Sequence, residues 1–168
     1  MVTLDTVMHQ PIVAVAPRTT AGEARKLAQH RHVRHLLVVD KADLVGVVCV
    51  CDLRDADWSE PVEERMRFPV MTIDKQASVH DAAAILREQT IGCVPVIADD
   101  SVVGVVSRGD LLRAGLPPDE VLGTHVCAAC GRYHDVHPYR LGPDVQFCEE
   151  CLDRATPASD DDEVGGGD

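Results

Sequence analysis

The sequence predicts an α+β protein in which two β-α-β-β-α repeats pack sheet to sheet, followed by a small cysteine-rich module and a disordered acidic tail. Three observations lead to this prediction. One pattern recurs at a constant offset of 58 positions over more than forty residues, and two Cys-x-x-Cys pairs follow the second copy. Hydrophobic residues make up 45% of the 168 positions, which is enough to bury a core.

The repeat is clearest in two hydrophobic segments, LVGVVCVCDL at 44–53 and VVGVVSRGDL at 102–111. Gly46 of the first segment corresponds to Gly104 of the second. Because the offset holds without a gap, the pattern indicates a duplication rather than chance similarity. Further pairs at the same offset are Met8 with Met66, Pro11 with Pro69, and Asp52 with Asp110.

Each copy opens with a short apolar segment and then the start of a helix. A hydroxyl residue precedes an acid by three positions, as Thr20 precedes Glu23 and Ser78 precedes Asp81, and this spacing is typical of a capping box. A proline comes before each apolar segment, which suits a short strand. The predicted elements are strands at 12–15 and 70–73 and helices at 21–29 and 79–89.

Two apolar, β-branched segments follow the helix in each copy, and Asp-containing turns separate them, as in β-hairpins. Both faces of these segments are apolar, so helices must cover the sheet. One copy is too small to bury its own sheet, whereas two copies packed together can do so. The predicted strands are 36–39, 44–50, 94–97 and 102–106, and a second helix is predicted to begin near Asp52 and near Ser107.

The duplicated pattern resembles a tandem pair of cystathionine-β-synthase (CBS) domains, a module that senses adenine nucleotides in many enzymes, channels and kinases. The resemblance rests on VMHQPIVAVAP, RHLLVVD and LVGVVCVCDL and on their partners RFPVMTID, GCVPVIADD and VVGVVSRGDL. It covers about two thirds of the chain and implies CBS domain 1 at 1–57 and CBS domain 2 at 58–116. It also implies a homodimer, for which the apolar helix residues 82–86 are suitable.

The resemblance implies a ligand site in the second copy. In the family, a Ser/Thr-x-x-Asp motif after the last strand holds the ribose and phosphate of the ligand, and here the motif is Ser107-Arg108-Gly109-Asp110. The resemblance implies that Asp110 accepts hydrogen bonds from ribose hydroxyls, that Ser107 reaches a phosphate and that Arg108 adds a phosphate contact. The positions that face the base in the family are Thr72, Ile73, Val94 and Pro95.

The first copy departs from this motif, because Cys49 stands where the second copy has Ser107. The ribose acceptor remains as Asp52, so the resemblance implies a weaker second site there. Ser107 and Asp110 are also spaced as a capping box, which stabilises a helix start by about 1 kcal/mol without any ligand. Both explanations of the motif stay open, and the ligands implied are AMP, ADP, ATP or S-adenosylmethionine.

Two further features belong to the strands and loops of the repeat. Cys49, Cys51 and Cys93 lie on or beside apolar strands, where buried and unreactive thiols are typical. A basic run, HRHVRH at 30–35, is expected near the mouth of the first cleft. It is either a phosphate contact or a solvated loop.

Composition changes after Gly115, where Leu116-Pro117-Pro118 ends the last helix. Seventeen residues separate the two Cys-x-x-Cys pairs, which is the spacing of a four-cysteine zinc site, with iron as the alternative metal. The predicted ligands are Cys127, Cys130, Cys148 and Cys151, in a module at 124–155 that resembles a zinc ribbon or treble-clef finger. A linker at 117–123 precedes this module, and a disordered acidic tail at 156–168 follows it.

The chain has a net charge of −12, three lysines and 3% aromatic residues. This composition is typical of proteins from salt-loving cytoplasms, with an acidic mesophile as the alternative. The acidic charge disfavours a surface for nucleic acid. No apolar run reaches the roughly 18 residues of a membrane span, and the N-terminus does not resemble a signal peptide, so we expect a cytoplasmic protein without membrane contact.

These features together predict a non-catalytic regulatory protein that senses an adenosyl ligand through the repeated pair and contacts an unknown protein partner through the zinc module. The sequence has no Gly-rich phosphate loop, no nucleophile with a plausible base and no open metal site, so an enzyme is not expected. Two alternatives remain. One is a nucleic-acid-binding transcriptional regulator that uses the zinc module, and the other is an interaction adaptor without a small ligand.

Overall fold

The computed structural model describes residues 2–89, 91–122, 127, 136–139 and 142–148. The chain divides into two compact units, Met1–Gly123 and Thr124–Asp168. Both copies of the repeat lie in the first unit. The hydrophobic residues of this unit form two clusters, one for each copy.

The first copy forms a three-stranded sheet in the described part of the chain. β1 (Ala14–Val15) runs parallel to β2 (His35–Asp40), and β2 pairs antiparallel with β3 (Asp43–Cys49). α1 (Ala21–Arg31) connects β1 to β2, and its start carries the predicted capping box. The helix and strands predicted for this half of the copy are confirmed to within two residues at each end.

The second copy repeats this arrangement and continues into further helices. Its elements are β4 (Ile73–Asp74), α2 (Val79–Glu88), β5 (Cys93–Ala98), β6 (Ser101–Ser107), α3 (Arg108–Arg113) and α4 (Pro118–Leu122). β4 runs parallel to β5, β5 pairs antiparallel with β6, and α2 starts with the predicted capping box. The register of both hairpins shifts at equivalent places, after Val38 in β2 and after Val96 in β5.

The two copies differ after their last strand. α3 begins directly after Ser107, as predicted. The helix predicted near Asp52 is wrong, because residues 50–58, all of which the structure describes, form turns without a helix. The N–H and hydroxyl of Ser107 both bond to the Asp110 carboxylate at the start of α3, whereas Cys49 has no hydroxyl to offer at the equivalent position.

Each copy completes its core with a segment that precedes the first strand of the other copy. Leu4 is fully buried in the core of the second copy, and Val62 is fully buried in the core of the first. His9 then pairs through its backbone with β6, and Arg67 pairs in the same way with β3. Because these residues also obey the offset of 58 positions, the copies exchange equivalent segments.

Two glycines make the exchange possible. A Cβ on Gly46 would lie 2.4 Å from the sulfur of Met66, and a Cβ on Gly104 would lie 2.5 Å from the sulfur of Met8. Both distances are far below a van der Waals contact. The exchanged segments therefore cross the last strand of the opposite copy at positions that have no room for a side chain.

The core of the second copy extends beyond the end predicted for that domain. The segment 117–123, predicted as a linker, contains α4, and Val121 is fully buried in the same cluster as Leu86 and Leu111. α4 packs on α2, in which Ala82 and Ala83 are fully buried. Part of the apolar helix surface assigned to dimerisation is thus used within the chain.

The described helices include none that is both long and apolar enough to cross a membrane. In the second unit, the described backbone forms an antiparallel hairpin of β7 (Val136–Tyr139) and β8 (Gly142–Cys148). The predicted tail at 156–168 lies outside the described residues.

Candidate functional site

The motif aspartate of the second copy is almost completely buried, with 4% of its side chain exposed. One carboxylate oxygen, Oδ2, accepts hydrogen bonds from the N–H of Ser107 at 2.8 Å and from its hydroxyl at 2.6 Å. The other oxygen, Oδ1, lies 3.0 Å from Nδ1 of His9 and also bonds to Arg113. Both oxygens of Asp110 are therefore engaged, and one of their partners comes from the first copy.

The motif aspartate of the first copy is held by a pair related through the same repeat. Nη2 of Arg67 lies 3.4 Å from Oδ1 of Asp52, and Arg67 is equivalent to His9 at the offset of 58 positions. The Asp52 side chain is 26% exposed, although its Oδ2 atom is buried and has no hydrogen-bond partner among the described residues. Each motif aspartate thus meets a basic residue supplied by the opposite copy.

His9 and Arg67 were not among the site residues predicted from the sequence. The signal was present, because each residue directly follows an equivalent methionine, Met8 or Met66. The repeat alignment alone places two basic residues at one position of the unit. What it does not show is that each of them reaches the aspartate of the other copy.

The other predicted ligand residues of the second copy divide between surface and core. Thr72 is exposed, and Pro95 is buried outside the main hydrophobic cluster of that copy. Ile73 and Val94 belong to that cluster, so only their backbone groups are available to a base. Arg108 is 4% exposed and donates a hydrogen bond to the carbonyl oxygen of Leu86 at 3.1 Å.

His35 and Cys93 occupy equivalent positions at the start of β2 and β5. His35 lies close to the second copy, since a Cβ on Gly92 would be 2.7 Å from its Nε2 atom. Burial lowers the pKa of His35 to about 4, and the nearby Arg34 cation lowers it further. Burial also raises the pKa of the Cys93 thiol to about 12, as expected for an unreactive structural cysteine.

Cys49 and Cys51 lie much closer together than the sequence indicates. Their sulfur atoms are 3.0 Å apart, and the Arg34 guanidinium donates a hydrogen bond to the Cys51 sulfur at 3.4 Å. The hydrogen bond to Cys51 and burial raise the pKa of the Cys49 thiol above its ordinary value. One residue of the basic run at 30–35 therefore contacts the motif turn of the first copy.

The predicted metal ligands are only partly within the described residues. Cys127 is buried, and Cys148 ends β8. Cys130 and Cys151 lie outside the described residues. The search of the described part of the chain found no cluster of three or more metal-binding side chains, and this part lacks two of the four predicted ligands.

Comparison with known protein families gives one match to the repeated unit. The model of the CBS domain matches residues 4–59 and again residues 62–116. The chain belongs to the CBS domain family. A curated relative, an uncharacterized protein MJ1232 of Methanocaldococcus jannaschii, is 30% identical over 102 residues. These residues cover 59% of this chain but 34% of that protein, so this CBS pair spans about a third of its relative.

Two solved structures of similar CBS proteins contain adenosyl ligands. The CBS domain pair of protein MJ0100, in complex with 5-methylthioadenosine and S-adenosyl-L-methionine, superposes with a TM-score of 0.62 and 26% identity, covering 67% of this chain and 94% of that one. CBSX2 in complex with AMP superposes with a TM-score of 0.58 and 28% identity, also covering 67% and 94%. Members of the family with this fold therefore bind adenosine-containing ligands.

Proposed function

We propose that this protein is a regulatory sensor in which the CBS pair binds an adenosyl compound, such as AMP, ADP, ATP or S-adenosylmethionine. The observation that carries the proposal is the pair of cross-copy contacts, in which Asp110 meets His9 and Asp52 meets Arg67. A carboxylate at this position can accept two hydrogen bonds from a ribose. The ligands of MJ0100 and CBSX2 support the same chemical class.

Binding in the second cleft requires Asp110 to exchange partners. His9 and Arg113 are 55% and 66% exposed, so both can swing away from the carboxylate and leave Oδ1 to a ribose hydroxyl. Ser107 can stay on Oδ2 and keep α3 capped. Because His9 belongs to the first copy, the ligand would replace a contact between the copies, which couples occupancy to their packing.

The phosphate and base contacts follow from what is accessible. His9 and Arg113, once released, are the cations nearest to the ribose position and suit an anionic group. Arg108 would have to leave its bond to the Leu86 carbonyl to reach a phosphate, so its predicted contact is the weakest of the motif. Thr72 and the backbone of Ile73 and Val94 are the groups proposed for the base.

The first cleft offers a different site. Asp52 keeps one carboxylate oxygen free of hydrogen-bond partners among the described residues, but Cys49 provides a thiol where the second copy has a hydroxyl. Thiols are weak hydrogen-bond donors. We therefore assign the first cleft the lower affinity, as the sequence motif predicts.

Calorimetric titration of the full chain with AMP, ATP and S-adenosylmethionine tests this function. Asp110→Asn should weaken binding by about 10-fold to 100-fold, because it removes charge-assisted hydrogen bonds worth about 1.5–3 kcal/mol. Asp52→Asn is the matched control and should change the affinity of the stronger site little. Equal loss in both variants would overturn the site assignment, and no heat with any of the three compounds would favour an interaction adaptor.

The cysteine-rich unit is proposed to be a structural four-cysteine zinc module that contacts a protein partner. Support comes from the spacing of Cys127, Cys130, Cys148 and Cys151 and from the described hairpin, in which Cys148 ends β8. Metal analysis by mass spectrometry should find about one zinc per chain. Cys148→Ser should lose this metal and Cys93→Ser should keep it, whereas equal retention would contradict the module.

The remaining parts of the function are proposals of the same kind. We assign no catalytic role to the chain, and we expect it to form a homodimer in the cytoplasm of a salt-tolerant cell. Since Ala82 and Ala83 are used within the chain, a dimer contact on α2 has to use the partly buried Ala84 and Ile85. Light scattering at low and high salt measures the oligomeric state directly.

A further inference from the structure

The sulfur pair of the first copy is not used by the proposed ligand site. Cys49 ends β3, and the N–H of Asp52 donates a hydrogen bond to the carbonyl oxygen of Cys49 at 3.0 Å, which closes a tight turn. This turn brings the Cys49 and Cys51 sulfurs to 3.0 Å. That separation is about 1 Å longer than a disulfide bond, so a small rotation of either side chain can join them.

The surroundings of the pair favour reaction at Cys51. The Arg34 guanidinium donates to the Cys51 sulfur at 3.4 Å, and a cation in this position stabilises a thiolate. The Cys51 N–H lies 3.4 Å from the Cys49 sulfur, and the Cys49 thiol donates its proton toward Cys51. Cys49 is partly exposed and Cys51 is 9% exposed, so a small oxidant has a route to the pair.

We infer that Cys49 and Cys51 form a redox-active dithiol that closes to a disulfide when it meets a peroxide. The Cys51 thiolate attacks one peroxide oxygen, the O–O bond breaks, and the departing hydroxide takes up a proton to become water. The Cys49 sulfur then attacks the Cys51 sulfenic acid, an S–S bond forms, and the S–O bond breaks. The hydroxyl leaves as a second water with the Cys49 proton, so one peroxide oxidises two thiols by two electrons.

This reaction distinguishes the two clefts. The disulfide would tie the turn that carries Asp52 and would remove the thiol that stands at the motif position of the first copy. The second copy has Ser107 and Gly109 at the corresponding positions and cannot be modified in this way. If the proposed ligand function holds, oxidation changes the first cleft and leaves the second unchanged, but the disulfide itself does not depend on that function.

Peptide mapping of the full chain tests the reaction. The reduced protein is treated with hydrogen peroxide, unfolded with N-ethylmaleimide and digested with trypsin, which cleaves after Lys41 and Arg54. Residues 42–54 then carry both cysteines in one peptide. This peptide should appear two hydrogen masses lighter and without alkylation. The internal control is residues 88–108, in which Cys93 should remain alkylated.

Variants assign the roles of the two sulfurs. Cys49→Ser should leave Cys51 as a sulfenic acid that dimedone traps, and Cys51→Ser should slow oxidation of Cys49 at least about 10-fold. Arg34→Gln should slow disulfide formation in the otherwise unchanged chain. The inference is overturned if peptide 42–54 stays doubly alkylated at peroxide levels that oxidise free cysteine, or if Cys49 pairs with a cysteine outside this peptide.

Discussion

The two copies of the repeat hold equivalent aspartates in different ways. Asp110 is almost fully buried, and both of its oxygens are bonded to Ser107, His9 or Arg113. Asp52 is more exposed and is held by Arg67 through a single oxygen. The difference shows that one backbone position can serve as a closed capping site in one copy and as an open acceptor in the other.

A single substitution at the end of the last strand accounts for much of this difference. Ser107 bonds to Asp110 and starts α3, whereas Cys49 bonds to Cys51 and is followed by turns. A hydroxyl can hold a carboxylate at a helix start, and a thiol is a poor substitute. The same change that removes a helix from the first copy creates its sulfur pair.

Leu4→Ala should give the largest effect, because it removes an exchanged side chain from the core of the opposite copy. Leu4 is fully buried among the residues of the second copy. We expect the free energy of unfolding to fall by about 2–5 kcal/mol, measured by urea denaturation. Val2→Ala, at a site that is 48% exposed, is the control. A similar small change in both variants would mean that the segment is not exchanged.

Acidification should destabilise the protein through His35, for which the second copy has Cys93. The pKa of His35 in the folded protein is about 4, below the value of about 6.5 in an unfolded chain. The unfolded state therefore binds more protons between these values, and stability is lost as the pH falls. From about pH 7 to about pH 5 the loss should be about 2 kcal/mol, and it should shrink in His35→Gln. Equal losses in both proteins would contradict this origin.

Ser107→Ala should cost about 1 kcal/mol of stability, because α3 loses the hydroxyl that holds Asp110. The matched variant Cys49→Ala should cost less, since turns follow that position. Urea denaturation of both variants measures the difference directly. If Cys49→Ala proves as costly, capping is not what separates the two copies.

Arg25→Gln should give the smallest effect. Arg25 and Lys26 of α1 lie 5.2 Å and 5.7 Å from the ring centre of Trp58, and the equivalent helix of the second copy is covered by α4 instead. An exposed cation–π contact contributes about 0.5–1 kcal/mol, and Lys26 keeps part of it in the variant. We expect a loss of roughly 0.5 kcal/mol. Trp58 fluorescence during unfolding reports on this contact, and an unchanged midpoint would assign it no role.

The sequence by itself determined the duplication, the order of the elements and the starts of both long helices. Thr20 and Ser78 cap their helices as their spacing predicts, and Gly46 and Gly104 mark the close crossings. These features depend on residues a few positions apart or on a constant offset. Such patterns are local, so they can be recognised without knowing what packs against them.

Only the tertiary structure decided which copy each segment serves. Leu4 and Val62 fit the same pattern whether they pack on their own copy or on the other, and long-range packing selects the exchange. That choice places His9 on Asp110 and Arg67 on Asp52. It is made by buried area and by contacts between residues far apart in the chain, and a local sequence pattern does not contain them.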